Sequence, residues 1–313
     1  MSEPAYSLSS HARRRAKRRR EGRRRLAFLV ASLVMLASVA FAIAVDDPAN
    51  EASSSRPAAQ AALDGAVIVA HHGAAGDAGA GLLGGALPEV TADLQARVEH
   101  FGEGDSGRVV PAIHLTVVRS LDDPGPDGLY RQRETRARIQ MFLDAARSIE
   151  AQLILDVRPG RARWIDELRW LKPFLAQPDV GVSLDPEWKT GPDGVPGRQI
   201  GQIGASTVNQ LSRFVGDLVV ENELPDKPMV IHQFAPGMVT NREGIVRRAG
   251  VILFIDINGQ GEQASKRATY SALTAQAGHW RWGIKLFPGK EPNALTPVEL
   301  RELDPAPALV IYE

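Results

Sequence analysis

The chain of 313 residues balances 37 Lys and Arg against 37 Asp and Glu, but the charges are segregated, and the segregation decides which partners are open to it. Ten of the basic residues fall between Arg13 and Arg25, and only Glu3 and Glu21 of the acids precede Asp46, so the remainder holds 27 basic against 35 acidic residues, a net of about −8. An acidic main body excludes nucleic acid as its principal partner, since phosphate binding needs a basic surface; the absence of Cys excludes both a disulfide framework and a lipid-modified cysteine.

In chain order, the first predicted element is a membrane address. The basic run Arg13 to Arg25 leads directly into Leu26 to Val45, twenty residues without a charge, about the length an α-helix needs to cross the hydrocarbon core. Residues 1–25 are therefore expected as a cytoplasmic tail and 26–45 as a single transmembrane helix or signal anchor, with everything beyond Asp46 outside the cytoplasm. Small residues at Ala40, Ala42 and Ala44 offer a cleavage site, which would make the product secreted. Residues 46–62, rich in Ala, Ser, Pro and acids without apolar periodicity, read as a flexible tether.

From Gly65 onward short runs rich in Val, Ile and Leu alternate with amphipathic segments. The runs are 66–71, 108–118, 151–157, 179–185, 227–234, 250–257, 281–287 and 308–313. Between them apolar residues at three- and four-residue spacing predict helices over Val90 to Phe101, Arg131 to Glu150, Arg161 to Gln177 and Ala205 to Glu221, the last with Ser206 as N-cap. Met238 to Arg248, Glu262 to Gln276 and Thr296 to Leu303 complete the set. Continuously apolar strands alternating with helices imply a parallel sheet buried on both faces. Eight of them in about 250 residues match the count and size of a (β/α)8 TIM-like barrel over residues 63–313. An open doubly wound sheet is the competing arrangement.

In a barrel the C-terminal strand ends form the active face. Residues at those ends are His71, His114, Asp156 with Arg158, Asp185 with Glu187, His232 with Gln233, Asp256 with Asn258, Lys285, and Tyr312 with Glu313. Each also has a plain structural reading: Asp156 can cap the next helix and His114 can be a satisfied core histidine. The stretch Gly181 to Trp188, G-V-S-L-D-P-E-W, is the most pointed. Alternation along an extended chain sends Asp185 and Glu187 to one side, with Cα atoms roughly 6.5 Å apart, and Pro186 suits the place where a strand leaves its sheet. Two neighbouring carboxylates raise one pKa toward the range a general acid needs.

This stretch resembles the end of the pattern D-G-x-D-x-D-x-E of family 18 chitinases, and its D-x-E is also similar to the paired acids of family 25 lysozyme-type muramidases. The resemblance implies a glycoside hydrolase acting on a cell-wall or amino-sugar polysaccharide, with Glu187 protonating the glycosidic oxygen and Asp185 stabilising positive charge or orienting an N-acetyl group. The earlier acids of the pattern are replaced by Val180 and Ser183. Expected substrate-binding residues are Trp188, Asp156, His232, Gln233, Asp256, Asn258, His71, Lys285 and Tyr312; the loops Asp122 to Leu129 and Lys189 to Gly204 should overhang the same face, and Trp280 and Trp282 are further subsite candidates.

Two other readings compete. A barrel lacking the full acid pattern could bind cell-wall polymer without cutting it, since function belongs to the site rather than the fold. Strand-end His and Asp residues also suit a metal-dependent hydrolase, and His71-His72-Gly73 is similar to the H-R-G of glycerophosphodiester phosphodiesterases, though the second strand lacks that family's acidic pair. Because His71 and His72 are adjacent they point to opposite faces of a strand, unlike an H-x-H metal pair, and no metal or cofactor is expected.

Overall fold

The computed structural model describes residues 63–104 and 107–313. The expected tail (1–25), membrane span (26–45) and tether (46–62) lie outside the described residues. Among the described residues no helix is long and apolar enough to cross a membrane.

Eight parallel strands close into a ring: β1 (Val67–Ala74), β2 (Val109–Ser120), β3 (Gln152–Val157), β4 (Val180–Leu184), β5 (Lys227–Gln233), β6 (Val251–Ile257), β7 (Arg281–Leu286) and β8 (Leu309–Tyr312). Each pairs with the next, and the ring is sealed by β8 on β1, with Ile68 opposite Leu309 and His71 opposite Tyr312. An open doubly wound sheet is thereby excluded. The crossovers hold α1 (Leu87–Gly102), α2 (Arg136–Ser148), α3 (Trp164–Leu175), α4 (Ala205–Glu221), α5 (Gln263–Thr274) and the short α6 (Pro297–Arg301).

Strand alternation sorts side chains into two cores. Outward residues such as Val69, Leu155, Val182, Ile231 and Ile284 pack against the helices in one large apolar layer. Inward residues near the strand starts form a separate apolar plug of Ile68, Ala70, Ala112, Ile154, Val230, Phe254 and Ile311, closed from below by Leu63 and Ala66. One step further along the strands the inward positions change to His72, His114, Asp156, Ser183, His232, Asp256 and Lys285, all buried. The ring interior is thus apolar in its lower half and ionisable in its upper half.

Three local expectations are corrected. Helix α2 begins at Arg136, not Arg131, because Arg131–Arg133 pairs antiparallel with Val118–Ser120 of β2 and Thr135 caps the helix, accepting from the Arg138 amide at 3.2 Å. Ser206 does not cap α4; the N-cap is Gly204, extended because Ile203–Gly204 pairs with Val239–Thr240. Met238 to Arg248 forms no α-helix. That pairing and the left-handed Asn241 (φ 52°) break it into two short 3-10 turns, Pro236–Met238 and Arg242–Gly244.

The Arg131–Arg133 strand is locked to α3 by one carboxylate. Glu167 accepts from Arg131 Nε at 3.0 Å and from Arg133 Nε at 2.7 Å, and its side chain is fully buried while the arginines are 12% and 30% exposed. Removing the acid takes the carboxylate from Arg133 and leaves Arg131 only Asp127, 2.8 Å from its Nη1. Glu167→Ala should cost about 2–3 kcal/mol, below the range for wholly buried pairs because the arginines reach water. For a domain of this size that lowers Tm by roughly 4–12 °C, read by thermal denaturation.

Candidate active site at the barrel mouth

The opening lies at the C-terminal end of the ring, a cavity of about 460 Å³ whose lining includes Asp185, Glu187, Trp188, Asn258, Lys285 and Glu313. Arg158, Phe234 and Lys266 also border it. Its key turn follows from the sequence of β4. The strand ends at Leu184, and Pro186–Trp188 then forms a single 3-10 turn. The extended geometry expected for Asp185 and Glu187 is therefore corrected, since Pro186 bends the chain between them. Both still line the same cavity, Asp185 from the floor at 2% exposure and Glu187 half-buried above it.

The loop over this turn holds it in place. The Gly201 amide donates to Glu187 O at 2.9 Å, and a Cβ at Gly201 would collide with the carbonyl oxygens of Pro186 and Lys189. Gly197 packs close to the Trp188 ring. The loop Lys189 to Gly204 thus covers the D-P-E-W turn, while Leu129 and Tyr130, at the end of the Asp122 to Leu129 loop, lie against Gly160, whose φ of +57° suits that tight approach.

Beneath the cavity the ionisable groups form one network. Arg158 Nε lies 3.1 Å from Asp156 Oδ2 and 3.4 Å from Asp185 Oδ2, and Thr116 Oγ1 donates to Asp156 Oδ2 at 3.3 Å. His232 Nδ1 sits 2.8 Å from Asp256 Oδ2, while its Nε2 is 3.0 Å from Ser183 Oγ and 3.6 Å from Asp156 Oδ1. Lys285 Nζ donates to Glu313 Oε2 at 3.0 Å. The rings of His72 and His114 stand 4.5 Å apart, and that of His114 stacks on His232 at 5.3 Å.

These neighbours set the protonation states. Burial would raise the pKa of Asp156, but the His232 contact and the Arg158 guanidinium outweigh it and hold the acid well below the usual range. Burial and the Lys285 ammonium oppose charge on His232, yet Asp156 and Asp256 push its pKa up to about 9. Burial pushes His72 and His114 well below 6.5. Asp185 is raised by burial, against the pull of His232 and Arg158. Glu187 is raised by burial and then by the Asp185 charge. A fixed anion lies deep, and the acids that hold a proton more readily lie toward the opening.

Of the residues expected to bind substrate, Trp188, Asn258 and Lys285 line the cavity. Asp156, His232 and Asp256 lie below its lining, each 0% exposed, engaged with one another and with Arg158. His71, Gln233 and Tyr312 are corrections. Their strand parity is outward. His71 Nε2 accepts from Arg97 Nε of α1 at 3.0 Å, and the same guanidinium stacks on Tyr312. Gln233 instead orders the following loop, donating to Ala235 O and accepting from Arg242. Trp280 and Trp282 flank the Arg242 guanidinium in the outer layer rather than the cavity. Sequence reading missed His72 as the inward member of its pair, against Arg158 and His114, and the Ser265–Lys266–Thr269 face of α5. The parity rule could have found His72; α5 follows no strand-end signal.

No family model and no curated protein sequence matches the chain. Among solved structures, a GH5-4 broad-specificity endoglucanase from an uncultured bacterium is 11% identical, covering 84% of this chain and 90% of that one with a TM-score of 0.39. A β-mannanase from a symbiotic protist of the termite Reticulitermes speratus, complexed with gluco-manno-oligosaccharide, is 14% identical over 81% of each chain with a TM-score of 0.32. The assignment of the barrel rests on its closed strand ring, and these superpositions add no weight to a function.

Proposed function

We propose that the chain is a glycoside hydrolase acting on a cell-wall or amino-sugar polysaccharide, held outside the cytoplasm by Leu26 to Val45, with Glu187 as general acid. The observation that carries this reading is that Glu187 and the buried Asp185 line one open barrel-mouth cavity, where burial and the Asp185 charge raise the Glu187 pKa. Glu187 protonates the departing glycosidic oxygen. Asp185, steered by Arg158 at 3.4 Å, faces the positive charge that develops on the sugar or the amide of an N-acetyl group. Trp188 and Phe234 offer apolar faces for sugar rings, and Asn258 and Lys285 offer polar contacts.

The pattern shared with family 18 lacks its acid at Ser183, and the structure supports a substitute. Asp156 on β3 pairs directly with Ser183 on β4, so a buried carboxylate stands one strand over from the expected position. Full-length protein incubated with peptidoglycan or chitin oligomers should release reducing ends. Retention of polymer without any release would favour the binding-only barrel instead.

The rate should fall on the alkaline side as Glu187 loses its proton. Asp185 raises that pKa, while Arg158, Lys285 and His232 lower it. Asp185→Asn removes a raising charge, so the alkaline limb of kcat/KM should move to lower pH as well as losing height. An unmoved limb would assign the titration to another group.

A further inference from the structure

The interior of the ring holds a donor set of which the proposed acid chemistry of the cavity draws only on Asp156. His114 Nε2 lies 3.9 Å and His232 Nε2 3.6 Å from Asp156 Oδ1, and one ligand atom from each of the three residues falls within 4.8 Å of the others. All three side chains are 0% exposed. Neither ring nitrogen of His114, nor Asp156 Oδ1, has a hydrogen-bond partner among the described residues. Leaving such buried groups unsatisfied costs about 1–3 kcal/mol each, a cost that a shared ligand would remove for Asp156 Oδ1 and for one nitrogen of His114.

Two ligands about 2.1 Å from one tetrahedral ion stand roughly 3.4 Å apart, so the two separations to Asp156 Oδ1 need only a small contraction, while the histidine nitrogens, within 4.8 Å of each other, must close further. Arg158 engages Asp156 through Oδ2 and leaves Oδ1 facing the histidines. His232 is oriented from behind by Asp256, 2.8 Å from Nδ1, the arrangement in which an outer carboxylate fixes a metal-binding imidazole. Asp156 and Asp256 flank His232 and place two carboxylates beside the site; a bound cation would take the place of the His232 proton between them.

We propose that His114, Asp156 and His232, from β2, β3 and β5, bind one divalent transition-metal cation of the zinc class, which accepts two imidazoles and a carboxylate. The site does not rest on the glycosidase reading, because neither Glu187 nor the cavity wall contributes a ligand.

The test uses full-length protein stripped with chelator and then dialysed separately against Zn2+, Co2+ and Mn2+, with metal content measured by mass spectrometry and affinity by competition with a chromophoric chelator. One equivalent of zinc per chain, visible absorption bands with cobalt, and a zinc-dependent rise in Tm are expected. His114→Gln should weaken zinc roughly 100-fold or more, and Asp256→Asn roughly 10- to 100-fold through loss of its orienting bond. His71→Gln, on the outer face of β1, should bind as wild type. Well-folded wild type that takes up no zinc, or a His114→Gln variant that binds as tightly as wild type, would overturn the proposal. Neither result would bear on hydrolysis by Glu187.

Discussion

Glu187→Gln should lower kcat on a susceptible polysaccharide by roughly 10²- to 10⁴-fold, the range attributed to a positioned proton donor, while KM changes little. The substitution keeps the shape and hydrogen-bonding reach of the side chain and removes only the transferable proton. A diagnostic accompanies the loss. A substrate with a nitrophenolate leaving group needs little protonation and should lose far less rate than the natural polymer. Folding should be unimpaired or slightly improved, because burial and the Asp185 charge make the Glu187 carboxylate harder to ionise in the folded chain, and a neutral amide escapes that cost at neutral pH. Steady-state kinetics on both substrate types, with thermal denaturation as control, decides it. A Gln variant within about threefold of wild type on the polymer would remove Glu187 from the mechanism.

Asp156→Ala should be the most destabilising single change in the upper ring. Its carboxylate is fully buried and compensates both Arg158 and His232. Deleting one member of a buried charge network typically costs about 3–5 kcal/mol, because the partners remain desolvated and uncompensated. For a barrel of this size the melting temperature should fall by roughly 6–20 °C. Measurement in chelator-treated protein separates this electrostatic loss from any loss of bound metal. A change below about 1 kcal/mol would mean that Arg158 is adequately held by Asp185 alone.

Much of the scaffold was legible in the sequence because period-2 and period-3.6 patterning report burial directly. All eight apolar runs became ring strands, and five helices appeared close to their expected limits. The failures were local. Met238 to Arg248 has helical spacing, but Asn241 in a left-handed conformation and a two-residue parallel pairing override it. Arg131 to Arg133 reads as the start of a helix until Glu167, 34 to 36 residues later in the chain, draws it into a strand. In the site, the strand-end rule found the right rim but not the facing of each residue. His71 and Tyr312 end apolar runs as plainly as Asp156 does, yet turn outward toward Arg97. One residue of register separates a cavity group from a helix contact. The depth of Asp156, His232 and Asp256 was also invisible, because an isolated strand does not reveal how far its end is overhung by loops.

The bond from Gly201 to the Glu187 carbonyl ties a long rim segment to the residue proposed to deliver the proton. Segments of this kind are where barrel enzymes diverge most readily. In this chain such drift cannot retune what enters the bowl without also re-aiming the acid. Selectivity and turnover are therefore inherited as one trait, and grafting this segment between relatives should transfer both together.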